Sequence, residues 1–455
     1  MEPRYYPAGV IAGSFVYLYA NLFVLPGTPF LLGGDQALFW TNAQRLLHGE
    51  LIYRDFLEFT PPGTDLVFLG AFRLLGSWIG VPNIVLLVLG VGLTWLCFCI
   101  ARSFLKPAHA ALAAALFLVF DYGKILNGTH HWFSMAAVMG AVAVLQGPRT
   151  PARAAIAGAL LGVATFFTQT KGVVAAVGIG AYLIWEHRSR HLPLLLLALT
   201  AAWAALSSYF IASVGLGQLW YFQVTYLLQY VSHAAADTPD WIRTLFGIEF
   251  LAVLVAVPIV YALAIWKRID LLGFVGVALF VEVAYSPNWV RLYCVVMPAI
   301  ILFVWLSSRW RYAPAAMWSA LVCVAAWQTG SRHHQQSVVV ALPTGHAATT
   351  AATAGKLVWL AAHTSPGELL FEARWVDVYL PLGVRNPLFT DMLEGGHEYR
   401  PEFIDRSLRQ LQTLRVRYVI WSPRLEKFAN FHGFLTEHYA HVLTFPDQDE
   451  VWARK

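Results

Sequence analysis

The sequence predicts an α-helical polytopic membrane protein of about 11 transmembrane helices, ending in a small extracytoplasmic α/β domain. Three observations predict it. Only 13% of the 455 residues are charged and 58% are hydrophobic, against roughly 25% charged in ordinary soluble domains. The apolar residues gather in runs of roughly spanning length. The charge is also unevenly placed: residues 331–455 hold 13 Lys/Arg and 13 Asp/Glu, leaving 18 and 13 for residues 1–330, so the net +5 belongs wholly to the apolar part. A basic balance there points to membrane orientation, because Lys and Arg collect on cytoplasmic loops. No nucleic-acid-binding motif is present, and no nucleic-acid partner is expected.

The apolar runs lie near 8–26, 82–101, 107–121, 132–147, 152–168, 172–185, 192–214, 244–266, 270–286, 291–307 and 313–330. The first, about Ala8 to Leu25, is followed by Pro26-Gly27-Thr28-Pro29 without a convincing small-residue cleavage site. It reads as a retained helix, not a signal peptide. A twelfth segment, Leu66–Gly80, is short, carries Arg73 and follows Pro61-Pro62-Gly63. If it only lies on or dips into the membrane, Arg4, Arg102/Lys106, Arg149/Arg153, Arg188/Arg190, Lys267/Arg268 and Arg309/Arg311 are cytoplasmic, placing 11 Lys/Arg inside and 7 outside. A full span there would export most of those basic pairs, so it is read as not spanning.

The N-terminus is then cytoplasmic and the chain crosses eleven times. A membrane domain over 1–330 precedes a soluble extracytoplasmic domain over 331–455. Loops 27–81, 121–132 and 215–243 face outside with the tail, and eight of the thirteen acids of residues 1–330 fall in those loops against three inside. Cys97, Cys99, Cys294 and Cys323 all lie in apolar runs without His or Cys partners at ligand spacing; they read as small buried hydrophobes. In the tail, period-two apolar runs at Glu368–Phe371, Val376–Leu380 and Tyr418–Trp421 predict strands, and Glu402–Leu414 has helical spacing. The Ala/Thr-rich piece His346–Ala354 links the tail to the last span or begins its first helix.

Loop 27–81 carries the strongest signal. Gly33-Gly34-Asp35-Gln36 opens an amphipathic stretch, Ala37–Gly49, with Phe39, Trp40, Ala43, Leu46 and Leu47 on one face, the spacing of an interfacial helix. Asp35 sits at its N-terminal end, where an Asp either caps the helix or is held for chemistry. Tyr53-Arg54-Asp55-Phe56-Leu57-Glu58 then crowds two acids and one base into a loop stiffened by Pro61-Pro62; Arg54 could equally form a surface ion pair of small energy. Loop 121–132 packs Asp121, Lys124, His130, His131 and Trp132 beside a span. Interfacial anchoring explains this composition as well as a site does. Glu249 and Glu282 lie inside apolar runs, where a carboxylate is protonated, paired or facing a cavity.

Gly34-Asp35-Gln36, the amphipathic stretch, Gly49-Glu50-Leu51-Ile52-Tyr53-Arg54-Asp55 and Pro61-Pro62-Gly63 resemble the first extracytoplasmic loop of GT-C-fold glycosyltransferases. The likeness is to bacterial members of the protein mannosyltransferase and aminoarabinose transferase group, which use polyprenyl-phosphate sugars. Thr168-Gln169-Thr170-Lys171-Gly172 is similar to the family's Thr-Lys-Gly segment with Gln169-Thr170 as a departure. Asn288-Trp289-Val290-Arg291-Leu292-Tyr293 is similar to the basic residue and Tyr that open a late span. The resemblance covers most of residues 1–310 as scattered short motifs. It implies a GT-C-like membrane domain in a bacterial inner (plasma) membrane, with Asp35 as the catalytic carboxylate. Lys171, Arg291 and Tyr293 would bind donor phosphate. Tyr53, Arg54, Asp55, Glu58, Asp121 and His131 are the acceptor or loop candidates. A polyprenyl-phosphate sugar would be the donor, membrane lipid the surroundings and a cell-envelope glycan, lipid or protein the acceptor. A divalent metal is left open.

The chemistry stands beside the resemblance. A lipid-linked sugar phosphate needs its leaving phosphate stabilised as charge develops, and the acceptor hydroxyl needs a base within hydrogen-bond reach. Lys171 and Arg291, at predicted outer ends of spans, either snorkel to the interface or meet that phosphate, for which Arg offers bidentate geometry. The rival readings are a lipid or sugar transporter or flippase, which would favour internal repeats and charge at mid-membrane depth, and a non-catalytic protein that binds lipid-linked sugar. No repeat is present, and the charges gather in outer loops.

Overall fold

The computed structural model describes residues 5–231, 247–267, 271–284, 288–393 and 400–455. Arg4 and Arg268, both predicted inside, and Asp237, Asp240 and Arg243 of loop 215–243 lie outside the described residues. The chain divides into two compact units, the first made of Met1–Asn21, Leu86–Ser213 and Thr238–Ser331, the second of Leu22–Val85, Val214–Asp237 and Arg332–Lys455.

The first unit is helical. By length and composition, three helices among the described residues can cross a membrane, Val81–Arg102, Ser189–Val214 and Glu249–Lys267; shorter apolar helices cover Pro107–Tyr122, His130–Leu145, Pro151–Phe167, Leu271–Ala284 and Met297–Ser307. Two predicted runs are not single α-helices. Run 107–121 is α-helical over Pro107–Leu116 and widens to a π-helix over Phe117–Tyr122. Run 291–307 breaks at Val295–Val296 into Trp289–Cys294 and Met297–Ser307. Pro298 explains the second break: it has no N–H to give to the preceding turn and is tolerated only where a helix starts anew.

Small residues let the helices of this unit approach closely. A Cβ on Gly158 would lie 2.1 Å from the Leu195 carbonyl oxygen, and one on Gly162 would lie 2.4 Å from that of Leu199. The spacing of four puts both glycines on one face, which forms the seat for helix Leu192–Val214. This is the small-residue packing that drives association where no water is expelled.

The second unit holds the β structure. Its largest sheet has four strands in the order Leu370–Glu372, Tyr418–Trp421, Glu450–Arg454, Tyr439–Thr444; the first pair is parallel and the other two are antiparallel. Helix Pro401–Leu414 lays Ile404 and Leu411 on a core with Phe371, Leu388, Val419, Trp421, Phe431 and Leu435. A hairpin, Val338–Leu342 with Gly345–Thr349, precedes helix Ala351–His363, whose N-cap Thr350 accepts from the Thr353 N–H.

The expected strand at Tyr418–Trp421 forms with all four residues buried, and the one at Glu368–Phe371 forms one to two residues later as Leu370–Glu372. The expected strand at Val376–Leu380 does not form. Its end is the short helix Tyr379–Leu382, and the Val378 N–H donates to the Glu372 carboxylate in place of a neighbouring strand. Of the two readings of His346–Ala354, the start of a helix holds for its end, Ala351–Ala354, while its first part pairs in the hairpin.

Candidate functional site

Asp35 stands where helix Gln36–Leu47 begins, with a two-glycine elbow in front of it. Gly34 has φ +76°, a left-handed conformation that an L side chain rarely adopts. The Gly34 N–H donates to Asp377 Oδ1 at 2.8 Å, Gln36 Nε2 donates back to the Gly33 carbonyl at 3.0 Å, and the Ala37 N–H reaches the Gly34 carbonyl at 2.8 Å. Asp35 itself is helical (φ −48°, ψ −33°) and its carboxylate makes no helix-capping bond, so capping does not explain it. The residue is exposed. Gln36, Ala37, Phe39, Trp40, Thr41, Asn42, Ala43 and Arg45 behind it are buried. The helix is thus covered on its polar face too, which an interfacial helix would leave to head groups.

That polar face is tied down by ion pairs and hydrogen bonds. Arg45 lies 2.7 Å from both Glu50 Oε2 and Asp391 Oδ1, and its guanidinium stands 4.3 Å from the Phe56 ring centroid. Asn42 Nδ2 donates to Glu58 Oε2 at 2.9 Å, and Glu58 Oε1 accepts from the Phe59 N–H, the Thr60 N–H and the Thr60 hydroxyl. Burial pushes Glu58 up against the pull of those donors. Asp65, buried beside it, is pushed well above the carboxylate range by burial and then by the charge of Glu58.

The remaining loop candidates join the same unit. Tyr53 is buried with φ 70°, its hydroxyl donating to the Thr60 carbonyl at 2.7 Å and accepting from Gln223 Nε2 at 2.8 Å. Its ring stacks on Phe222 at 5.7 Å. Arg54 and Asp55 form a two-pronged pair at 3.0 and 2.7 Å, which holds Asp55 below the usual carboxylate range. Tyr53 and Glu58 spend their polar atoms on partners within the unit, whereas the Arg54 side chain is 58% exposed.

In the first unit, Thr168 ends helix Pro151–Phe167 and begins helix Gln169–Trp185 in an extended conformation. Lys171 is therefore in the first turn of its helix. It is fully buried, 3.4 Å from Glu282 Oε2, while the Thr170 hydroxyl donates to Glu282 Oε1 at 2.6 Å. Asn288 caps helix Trp289–Cys294 by accepting from the Arg291 N–H at 2.8 Å. The Tyr293 hydroxyl donates to Glu249 Oε1 at 3.1 Å, and Glu249 also pairs with Lys124, whose ammonium stands 5.3 Å from the Trp289 ring centroid. Asp121 is buried in the π-helix Phe117–Tyr122. The rings of His130 and His131 lie 4.0 Å apart. Glu249 and Glu282, the acids inside apolar runs of the sequence, are thus each paired with a lysine. Among the described residues, no three His, Cys, Asp or Glu side chains are grouped as a metal set.

Asp377 escaped the sequence reading. It is a single acid in an apolar run, 343 residues from its Gly34 partner.

A helical unit, with three of the described helices long and apolar enough to cross a membrane, and a C-terminal sheet define the class: this is an α-helical membrane protein with the GT-C fold. No protein-family model and no curated protein matches the sequence. The fold is similar to that of ArnT from Cupriavidus metallidurans, solved bound to undecaprenyl phosphate, with a TM-score of 0.67 at 14% identity over 98% of this chain and 97% of that one. It is also similar to the oligosaccharyltransferase of Archaeoglobus fulgidus in complex with Zn and sulfate, with a TM-score of 0.54 at 11% identity over 98% of this chain and 73% of that one.

Proposed function

We propose that this chain is a membrane glycosyltransferase that moves a sugar from a polyprenyl-phosphate donor to an extracytoplasmic cell-envelope acceptor. The observation that carries this reading is the likeness to ArnT with bound undecaprenyl phosphate over nearly the full length of both chains. The exposed, non-capping Asp35 supports the choice of base.

In the proposed reaction, the Asp35 carboxylate takes the proton of the acceptor hydroxyl. The acceptor oxygen bonds to the anomeric carbon from the face opposite the phosphate, and the carbon–oxygen bond to phosphate breaks with its electron pair. Polyprenyl phosphate leaves, and the configuration inverts. Lys171 and Arg291 neutralise the departing charge, with Tyr293 as a further donor; charge stabilisation of this type is commonly the largest catalytic contribution. Lys171 releases Glu282 in part when phosphate arrives. Arg54 and Asp55, on the exposed part of the loop, are assigned to the acceptor.

The test compares cells with the wild-type chain, without it, and with Asp35→Asn. Loss of the chain should raise the pool of one polyprenyl-phosphate sugar and remove that sugar from an envelope glycan, lipid or protein. The folded D35N chain should reproduce both effects, with transfer reduced at least about a hundredfold by loss of the base. No change in either pool would favour transport or simple binding; full activity of folded D35N would remove Asp35 as the base.

A further inference from the structure

We infer that Asp377 is the positioning residue for Asp35, holding the Gly33-Gly34 elbow from below so that the Asp35 carboxylate is presented at a fixed place. The inference rests on the reading of Asp35 as base. It is carried by two contacts within the second unit. Asp377 Oδ1 accepts the Gly34 N–H at 2.8 Å. An added Cβ on Gly33 would lie 2.9 Å from the same Oδ1 and 3.0 Å from Cγ and Oδ2. The elbow thus sits on the carboxylate, which a side chain at 33 would displace, and Gly34 adopts φ +76°, a conformation in which an L side chain is strained. The two glycines and the acid form one fitted joint.

The joint is itself anchored. Asp377 precedes the short helix Tyr379–Leu382. The neighbouring Glu372 accepts from the Val378 N–H at 3.2 Å, and Glu372 is in turn paired with Lys356, which also binds Asp449. Strand Leu370–Glu372 and helix Ala351–His363 therefore fix the residue that fixes the elbow. A catalytic group gains from such support because a displacement of about 1 Å can cost on the order of a hundredfold in rate.

The charged and titratable groups facing Asp377 are Glu372, Lys356 and Asp35; burial comes first and Glu372 second in pushing it up to about 7. It is neutral below that pH and ionised above it. An ionised acceptor holds the Gly34 N–H more strongly than a neutral one, so transfer should rise as pH crosses about 7. Asparagine keeps the accepting oxygen and the shape but cannot ionise.

The experiment uses the full chain in membranes, with the polyprenyl-phosphate sugar pool extracted from cells lacking it as donor. D377N should stay within about fivefold of wild type at pH 6 and lose the rise near neutrality. D377A and G33A should each lose about a hundredfold. At pH 6, hydrogen exchange at the Gly34 amide should quicken in D377A and not in D377N, independently of activity. G33A supplies the test where D377A does not fold. Wild-type transfer in folded D377A or G33A, or unaltered Gly34 exchange in D377A, would overturn the inference. D35N run in parallel separates the failures: an active D35N removes the base, whereas an inactive D35N beside an active D377A removes only the positioning role.

Discussion

Lys356 shows how a charge can be kept in the interior of the second unit. It is buried with its ammonium 2.9 Å from Glu372 Oε1 and 2.6 Å from Asp449 Oδ2. Burial alone would pull its pKa down, but the two carboxylates outweigh that and hold it above the ordinary lysine range. Removing one member of such a set leaves the others charged and desolvated, at a cost of about 3–5 kcal/mol. Lys356→Met should therefore lower the unfolding free energy of the detergent-solubilised chain by roughly that amount, read as a fall in denaturant midpoint at unchanged slope. Replacing Glu372 and Asp449 by apolar residues in the same chain should restore much of the loss. A fall no larger than the ~0–1 kcal/mol typical of surface pairs would show that the cluster is wetter than its burial indicates. Little of this was legible in the sequence, because Lys356 and Asp449 are 93 residues apart. The same holds for Asp377, whose role depends on a partner in the first loop.

Among elements, those whose signal is local were the legible ones. Helix Pro401–Leu414 and strand Tyr418–Trp421 fall within a residue of their expected bounds, since helical spacing and a four-residue apolar run fix the period without outside help. Val376–Leu380 misled for the complementary reason: alternation predicts a strand only if its N–H groups find a ladder, and the Val378 N–H is taken by the Glu372 carboxylate. Gly158 and Gly162 carry the clearest prediction at this scale. A leucine at either must push helix Leu192–Val214 away from carbonyl oxygens 2.1 and 2.4 Å from the new Cβ, losing packing that no hydrophobic drive replaces inside a bilayer. Gly158→Leu and Gly162→Leu should each lower the melting temperature in detergent by several degrees, whereas Ala→Leu at the exposed Ala201 should leave it unchanged. Equal melting of all three would show that this helix pair contributes nothing to stability.

At the scale of the whole molecule, composition and contacts divide the chain differently. Polarity changes at Ser331, yet 22–85 and 214–237 belong to the same compact unit as 332–455. The ties are long in sequence: Arg45 to Asp391, Arg400 to Tyr221 at 2.6 Å, and Phe222 and Tyr226 against Phe403. Local composition does not report such contacts. They make membrane orientation sharply testable, because loop 27–81, the described part of loop 215–243 and the tail form one folded body and must lie on one side. The basic-residue count predicts that this side is the outside. With Cys97, Cys99, Cys294 and Cys323 replaced, cysteines at Arg54 and Arg417, whose side chains are 58% and 61% exposed, should both react with a membrane-impermeant maleimide on intact cells. Cysteines at the exposed Arg188 and Arg311 should react only after permeabilisation. Labelling of R54C and R417C from opposite sides would break the common body; labelling of R188C and R311C on intact cells, with the other pair protected, would invert the topology.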